Sequence, residues 1–175
     1  MNIFTYKKKS RGFTLIELLL AIGITSILLL SLVSFTQHIL DAQTKQRTIR
    51  EVAEQGDMIM DKVYRAIYNA EFVGTPTGGS SEPVLKLGYA DPSKSPTAIY
   101  MSGGIIIIEE GSSGPIPLHN ERIQGNIQFT DVTHNDSWST IDIQLTLGYN
   151  SSSNRYQYQY KEQWHGTAVI RNYVR

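Results

Sequence analysis

One carboxylate, Glu17, lies in a stretch that otherwise has no formal charge, from Phe13 to Leu40. The run from Leu18 to Phe35 is nearly continuous Leu, Ile, Ala and Val, broken only by small or hydroxyl-bearing residues. A carboxylate inside such a segment costs about 2.5 to 3.5 kcal/mol on membrane-insertion scales, so a functional role is the first hypothesis. Its chemistry is the neutralisation of a cation, in its own chain or a neighbour's. The alternative is a glutamate near a helix start that the helix dipole alone stabilises.

The remaining reactive residue types form no recognisable catalytic pattern. The four histidines are scattered, and no HExxH, GxSxG or glycine-rich strand-to-helix loop occurs. The chain has no cysteine, which excludes a disulfide and a thiolate metal site. We therefore predict no enzymatic activity and no cofactor.

Oxygen-bearing side chains cluster at Asp131, Asn135 and Asp136, between two predicted strands. Calcium prefers oxygen ligands, but this spacing matches no defined calcium loop and no glutamate closes it. A hairpin turn rich in Asn and Asp is the simpler interpretation. We predict a turn and keep the three residues as weak calcium candidates.

The apolar stretch from Phe13 to Leu40 predicts a helix that is long enough to cross a membrane. At about 1.5 Å per residue it spans about 40 Å, against a hydrocarbon core of about 30 Å. Four basic residues and no acid precede it: Lys7, Lys8, Lys9 and Arg11. The positive-inside bias then predicts a single-pass protein of the cytoplasmic membrane with its C-terminal part outside. No A-x-A site follows the apolar run, so we expect the mature protein to keep this helix.

Beyond Leu40 the sequence is polar, yet a helical period persists. Apolar and small residues recur at spacings of three and four: Ile49, Val52, Ala53, Gly56, Ile59, Met60, Val63, Ile67 and Ala70. No proline lies between Phe13 and Phe72, which predicts one helix of about 60 residues, apolar all round at first and then amphipathic. Gly56 marks either close packing or a tolerated helix glycine that costs about 1 kcal/mol.

The remainder of the chain predicts a β-rich head domain. Strand-like runs occur at 84–89, 98–101, 105–110, 123–131, 141–149, 155–164 and 165–174. We expect an antiparallel sheet with one face on the helix and one towards solvent, and therefore an α+β fold. Tyrosines and a tryptophan are concentrated in 149–173, and we expect most of them to pack in the core.

The chain resembles type IV pilins and type II secretion pseudopilins at Gly12-Phe13-Thr14-Leu15-Ile16-Glu17, behind a basic leader and before a long apolar run. The resemblance implies cleavage between Gly12 and Phe13 by a prepilin peptidase, with methylation of the new N-terminus at Phe13. It also implies that Glu17 pairs with the N-terminus of an adjacent subunit during filament assembly. The implied parts are a leader (1–12), a transmembrane and filament-core helix (13–40), its amphipathic half (41–72) and an exported head (73–175).

A second resemblance concerns the subunit type. Residues 51–70 resemble the corresponding helix of W-type minor pilins and J-type minor pseudopilins, in which a glutamine and a glycine precede an apolar-periodic segment. Abundant pilins usually carry glycine and proline at the positions of Ser26 and Ser34, so these serines imply a minor subunit. The C-terminal run Thr167-Ala168-Val169-Ile170-Arg171-Asn172 resembles the closing strand of many minor pilins.

The implied function is a minor pilin-like subunit of a type IV pilus that serves adhesion, motility or DNA uptake. Its implied partners are prepilin peptidase, other pilin or pseudopilin subunits, an inner-membrane assembly platform, and membrane lipid before extraction. The alternatives are a minor pseudopilin of a type II secretion system, an adhesive or DNA-binding tip module, and an anchored domain that never assembles. Nucleic acid is an unfavourable partner, since twelve basic and sixteen acidic side chains follow Gly12, a formal charge of minus four.

Overall fold

The computed structural model describes residues 12–134, 138–151 and 155–171. In that part of the chain one long helix precedes nine strands: α1 Leu15–Tyr68, β1 Phe72–Thr75, β2 Ser81–Glu82, β3 Val84–Gly88, β4 Thr97–Ser102, β5 Ile105–Glu110, β6 Ile116–Pro117, β7 Ile123–Asp131, β8 Trp138–Tyr149 and β9 Lys161–Arg171. The chain divides into two units, Met1–Ala42 and Gln43–Arg175.

In the first unit, α1 exposes apolar side chains on all of its sides. The exposed fractions of Leu15 and Leu30 are 78% and 71%. The hydroxyls of Thr25, Ser26 and Thr36 each donate to the carbonyl oxygen four residues earlier, at 2.7, 2.8 and 2.9 Å. These polar groups are therefore satisfied within the helix, as a hydrocarbon environment requires. By length and composition the segment is able to cross a membrane.

In the second unit, α1 buries one stripe, which confirms the predicted amphipathic period. The buried residues are Thr48, Val52, Gly56, Ile59, Met60, Val63 and Ile67. The helix ends at Tyr68, four residues before the predicted end. The chain leaves the helix there because the Glu71 N–H donates to the Gly88 carbonyl oxygen at 2.8 Å, which starts the pairing of β1 with β3.

The described strands form two antiparallel sheets, so the prediction of one sheet was wrong. The first sheet has the order β1-β3-β4-β5-β6, and the second has the order β2-β7-β8-β9. The first is built around the hairpin of β4 and β5, whose turn residues Gly103 and Gly104 both have positive φ, as a two-residue hairpin turn requires. Side chains of both sheets and of α1 form one buried cluster that includes Ile59, Ile99 and Phe129. The predicted α+β class is confirmed.

The C-terminal region contains one strand where we predicted two. A 3₁₀ turn, Tyr156–Tyr158, replaces the first part of the predicted strand 155–164. Lys45 Nζ donates to the carbonyl oxygens of Tyr156 and Gln159 at 3.1 and 2.8 Å, which ties the turn to α1. β9 then pairs with β8 from Lys161 to Arg171 without interruption.

The helix and β9 approach each other closely at Gly56. A Cβ atom on Gly56 would lie 2.1 Å from Cζ2 of Trp164, and Trp164 Nε1 donates to Asp57 Oδ1 at 3.0 Å. At a second close approach the glycine lies on β9 and the large side chain on α1. A Cβ on Gly166 would meet the Tyr64 hydroxyl. Of the two interpretations of Gly56, the structure supports close packing.

Candidate processing and assembly site

The peptide bond between Gly12 and Phe13 lies in non-helical backbone directly before α1. Gly12 is exposed, the Phe13 side chain is 76% exposed, and no atom lies within 4 Å of the position that a Gly12 Cβ would occupy. A protease needs a substrate segment whose backbone is accessible and free of helical hydrogen bonds. The described residues leave this bond open to such an enzyme.

Thr14 is the N-cap of α1. Its carbonyl oxygen accepts the Leu18 N–H at 3.2 Å, and its Oγ1 accepts the Glu17 N–H at 3.4 Å. A threonine followed by a glutamate three residues later is the sequence spacing of a capping box. From the sequence we interpreted Thr14 only as part of the family motif. The capping spacing would have located the helix start at Leu15.

Glu17 lies in the first turn of α1, where the partial positive charge of the helix N-terminus favours a carboxylate. Phe13 lies outside the helix, although we predicted that the helix begins there, so Phe13 and Glu17 do not share a helical face. The physical reason is the cap at Thr14, which places the first helical residue two positions after Phe13. The basic leader residues Lys7, Lys8, Lys9 and Arg11 lie outside the described residues.

The weak calcium candidate Asp131 lies at the end of β7, where its carboxylate is engaged by protein donors. It accepts hydrogen bonds from the Thr133 N–H at 3.0 Å, from the Thr133 hydroxyl, and from the Gly79 N–H at 3.4 Å. Burial alone would raise the pKa of Asp131, but the hydrogen bonds from Thr133, Gly79 and Gly78 hold that pKa below its ordinary value. These contacts order the chain after β7 and fix the loop before β2.

The other two candidates, Asn135 and Asp136, lie outside the described residues. Within the described ranges, no three His, Asp or Glu side chains are grouped closely enough to hold a metal ion.

Among the five C-terminal aromatic side chains that the structure describes, three pack against the core, as the sequence predicted, and Tyr173 lies outside the described residues. Tyr149, Tyr160 and Trp164 are partly buried against the hydrophobic cluster. Tyr149 also stacks on Tyr158 with ring centroids 5.5 Å apart. Tyr156 is 57% exposed. The aromatic side chains therefore serve mainly to fix the 3₁₀ turn and β9.

The comparison with known families gives one match, the prokaryotic N-terminal methylation motif, at residues 7–33. The match covers the basic leader, the Gly12–Phe13 bond, Glu17 and much of the apolar half of α1. The match supports the type IV pilin and pseudopilin family. The long N-terminal helix packed against antiparallel sheets is the pilin-like architecture. No curated protein and no solved structure matches the chain.

The motif supports a description of this chain at a coarse level. It implies a prepilin-type subunit that is processed by prepilin peptidase and assembled with other pilins, and the apolar helix fits a membrane anchor. The family is structural and not catalytic. The match ends at residue 33, so the resemblance of residues 51–70 to W-type and J-type subunits stays a prediction.

Proposed function

We propose that the chain is a minor pilin-like subunit of a type IV pilus. It is cleaved between Gly12 and Phe13, methylated at Phe13, and held in the cytoplasmic membrane with its C-terminal domain outside until extraction. One observation carries the proposal: an exposed apolar helix has a single acid in its first turn, directly after an accessible Gly-Phe bond.

The exposed apolar surface of α1 requires a partner. Transfer of one leucine or isoleucine side chain from water into an apolar environment contributes about 1.5 to 3 kcal/mol. The helix carries many such side chains between Leu15 and Leu40, and most of them are more than half exposed. Membrane lipid covers this surface before extraction, and the helices of other pilin subunits cover it afterwards.

Glu17 selects the neighbour within the filament. Cleavage at Gly12 creates an α-amine at Phe13, and an unpaired carboxylate in a filament core is strongly penalised. Only a subunit in the correct axial register supplies an amine to Glu17. The contact joins two different surfaces, and repetition of such a contact generates an open helical fibre.

The serines in α1 support a minor rather than a major subunit. Ser26 Oγ donates to the Ile22 carbonyl oxygen at 2.8 Å, and α1 continues without a break from Leu15 to Tyr68. Serine lacks the ring of proline and keeps its N–H, so it does not interrupt a helix as proline does. A helix that stays continuous suits a subunit at the tip, or one that primes the filament.

A subunit at the tip, or one that primes the filament, has three kinds of protein partner. They are prepilin peptidase, the inner-membrane assembly platform and the pilin subunits that adjoin this chain in the filament. An adhesive tip that uses the aromatic residues is disfavoured, because Tyr149, Tyr160 and Trp164 pack against the core. DNA binding is disfavoured by the formal charge of minus four after Gly12.

The proposal predicts a low copy number. Sheared filaments analysed by quantitative mass spectrometry should contain far fewer copies of this chain than of the main subunit, and deletion of the chain should reduce the number of filaments. If this chain is the most abundant subunit, the minor assignment is wrong. If filaments are unchanged and protein secretion is lost, the chain is a secretion pseudopilin.

A further inference from the structure

The strand β9 forms one outer edge of the second sheet, since β8 is its neighbour there among the described strands. It pairs with β8 from Lys161 to Arg171 without a register shift. Proteins usually protect sheet edges by short strands, proline, lysine or a bulge, because unpaired backbone groups attract other strands. Residues 163–170 contain no proline and no lysine. β9 is therefore a long, regular and unprotected edge.

The other outer edges that the described strands form are protected. β2 has two residues, and β6 has two residues that include Pro117. β1 has four residues, and its register with β3 shifts between Val73 and Thr75. This contrast makes β9 the edge at which another strand is best able to add.

The hydrogen bonds between β8 and β9 indicate which backbone groups of β9 point outwards. Directly before β9, the Tyr149 N–H donates to the Tyr160 carbonyl oxygen at 3.1 Å, so these residues form a hydrogen-bonded pair. Hydrogen-bonded and non-hydrogen-bonded pairs alternate along an antiparallel ladder. The even-numbered residues of β9 therefore bond to β8, and the odd-numbered residues direct their N–H and C=O groups away from it. These outward groups, which we call the β9 edge, belong to Gln163, His165, Thr167 and Val169.

The spacing of the β9 edge specifies the chemistry of its partner. Among the described residues, no hydrogen bond engages these outward groups. They recur every second residue, which is about 6.8 Å along an antiparallel strand. Another extended backbone presents N–H and C=O groups at the same repeat. The β9 edge therefore matches an extended polypeptide segment, and the antiparallel direction gives the more stable pairing.

A cavity of about 480 Å³ lies beside the C-terminal half of the β9 edge. The residues that line it are Tyr64, Arg65, Tyr68 and Asn69 of α1 and Ala168 and Val169 of β9. Successive strand side chains point to opposite faces, so a cavity that touches both Ala168 and Val169 reaches round the edge of the strand. The Tyr68 side chain is 81% exposed. This edge cavity is therefore able to receive an apolar side chain of an added strand.

The two faces beside the β9 edge differ in polarity. Gln163, His165 and Thr167 are exposed on the outer face. On the face towards α1, Ala168 is buried and lines the edge cavity. Directly opposite residues of antiparallel strands share a face. A strand that adds here should therefore place polar residues outside and apolar residues towards α1.

We propose that the β9 edge binds an extended segment of a partner protein as an additional antiparallel strand, with an apolar side chain of that segment in the edge cavity. Main-chain hydrogen bonds then supply affinity, and the cavity supplies specificity. The inference goes beyond the proposed function, because it concerns the head domain and does not require cleavage at Gly12.

A second copy of this chain fits the edge cavity less well than a different partner. Its β9 would present Trp164 and Ile170 on the face towards α1. Trp164 already packs against Gly56 and donates to Asp57 of its own α1, and Ile170 is buried. Neither side chain is free to enter the edge cavity of the other copy.

The test is fluorescence anisotropy of two labelled peptides with the full-length chain in neutral detergent micelles. Both peptides alternate threonine and leucine over the length of the β9 edge. The first has N-methyl groups on every leucine, so its threonines donate to β9 and antiparallel addition places leucine towards α1. The second has N-methyl groups on every threonine, so antiparallel addition places leucine outside. We expect the first peptide to bind at least about tenfold more tightly.

Two substitutions at Thr167 isolate the backbone contribution. Thr167→Pro removes an N–H that makes no bond to β8, so the sheet should stay folded while binding of the first peptide weakens about tenfold. Thr167→Ala is the matched control, because it removes the side chain and keeps the N–H. It should bind the first peptide as the unsubstituted chain does. Thermal unfolding verifies that both variants are folded.

A second pair of variants tests the edge cavity and decides the question if Thr167→Pro does not fold. Tyr68→Ala should weaken binding of the first peptide about fivefold, because Tyr68 lines the cavity. Tyr156→Ala is the control, since Tyr156 is also exposed but lies outside the cavity. It should leave binding unchanged.

Equal binding of the two peptides, tighter binding of the second, or binding of neither would overturn the proposal. Equal affinity of Thr167→Pro and Thr167→Ala for the first peptide would also overturn it. A stable dimer that Thr167→Pro dissociates would assign the β9 edge to a second copy and so contradict the proposed partner. Failure of cleavage at Gly12 would contradict the proposed function, yet it would leave the peptide measurement unaffected.

Discussion

The substitution Glu17→Ala is expected to leave membrane insertion and cleavage intact and to remove the chain from filaments. In the proposed assembly mechanism this carboxylate pairs with the α-amine of the neighbouring subunit, so its loss would leave the amine unpaired in an apolar filament core. Glu17→Gln should act in the same way, because it keeps the shape of the side chain and removes the charge. Immunoblots of membranes and of sheared filaments measure the two outcomes in one culture.

Thr14→Ala is the matched control for Glu17. It removes the hydroxyl that accepts the Glu17 N–H, which weakens the helix start by about 1 kcal/mol but leaves the carboxylate in place. We expect Thr14→Ala to enter filaments. If both substitutions reduce incorporation equally, Glu17 acts only at the helix start. Normal incorporation of Glu17→Ala would remove Glu17 from the assembly mechanism.

Gly56→Ala is expected to destabilise the head domain, although alanine is the better helix former. Helix propensity favours alanine by about 1 kcal/mol, but inserting atoms into a packed core costs about 1 to 3 kcal/mol. A Cβ at this position would lie 2.1 to 2.5 Å from three carbons of the Trp164 ring, so the overpacking cost should prevail. Thermal unfolding in detergent should show a lower Tm than that of the unsubstituted chain.

Two comparisons isolate the contact with Trp164. Gly114→Ala places a Cβ where no atom lies within 4 Å, so it should change the Tm little. In a Trp164→Ala background, Gly56→Ala should no longer destabilise, since the ring that it displaces is absent. Double-mutant cycles detect such coupling between residues in contact. An equal effect of Gly56→Ala in both backgrounds would show that its cost does not come from Trp164.

Local periodicity predicted much of the fold. The apolar half of α1 follows from a continuous apolar run and the amphipathic half from a 3.6-residue repeat, and β5 and β7 have the predicted bounds. The Gly12–Phe13 and Glu17 motif is also local, and the family match supports it without reference to the head. Signals within a short window were therefore sufficient for the helix, several strands and the motif.

Contacts between distant residues were not predictable in this way. The second sheet pairs β2 with β7, although β3 is the next strand along the chain. The alternation in Tyr156–Tyr160 suggested a strand, but the stacking of Tyr149 on Tyr158 and the bonds from Lys45 fix a 3₁₀ turn. Likewise, Arg122 lies beside the same groove as Arg47 and Arg50 of α1 only in the folded chain.

The most direct test of the central claim is the N-terminus of the protein recovered from membranes. Intact mass and N-terminal sequencing are compared with and without a co-expressed prepilin peptidase, with a known prepilin in the same cells as the control for peptidase activity. We predict a chain that begins at Phe13 and is heavier by one methyl group only when the peptidase is present. A chain that still begins at Met1 while the control prepilin is cleaved would contradict the claim, and a membrane-anchored domain that never assembles would take its place.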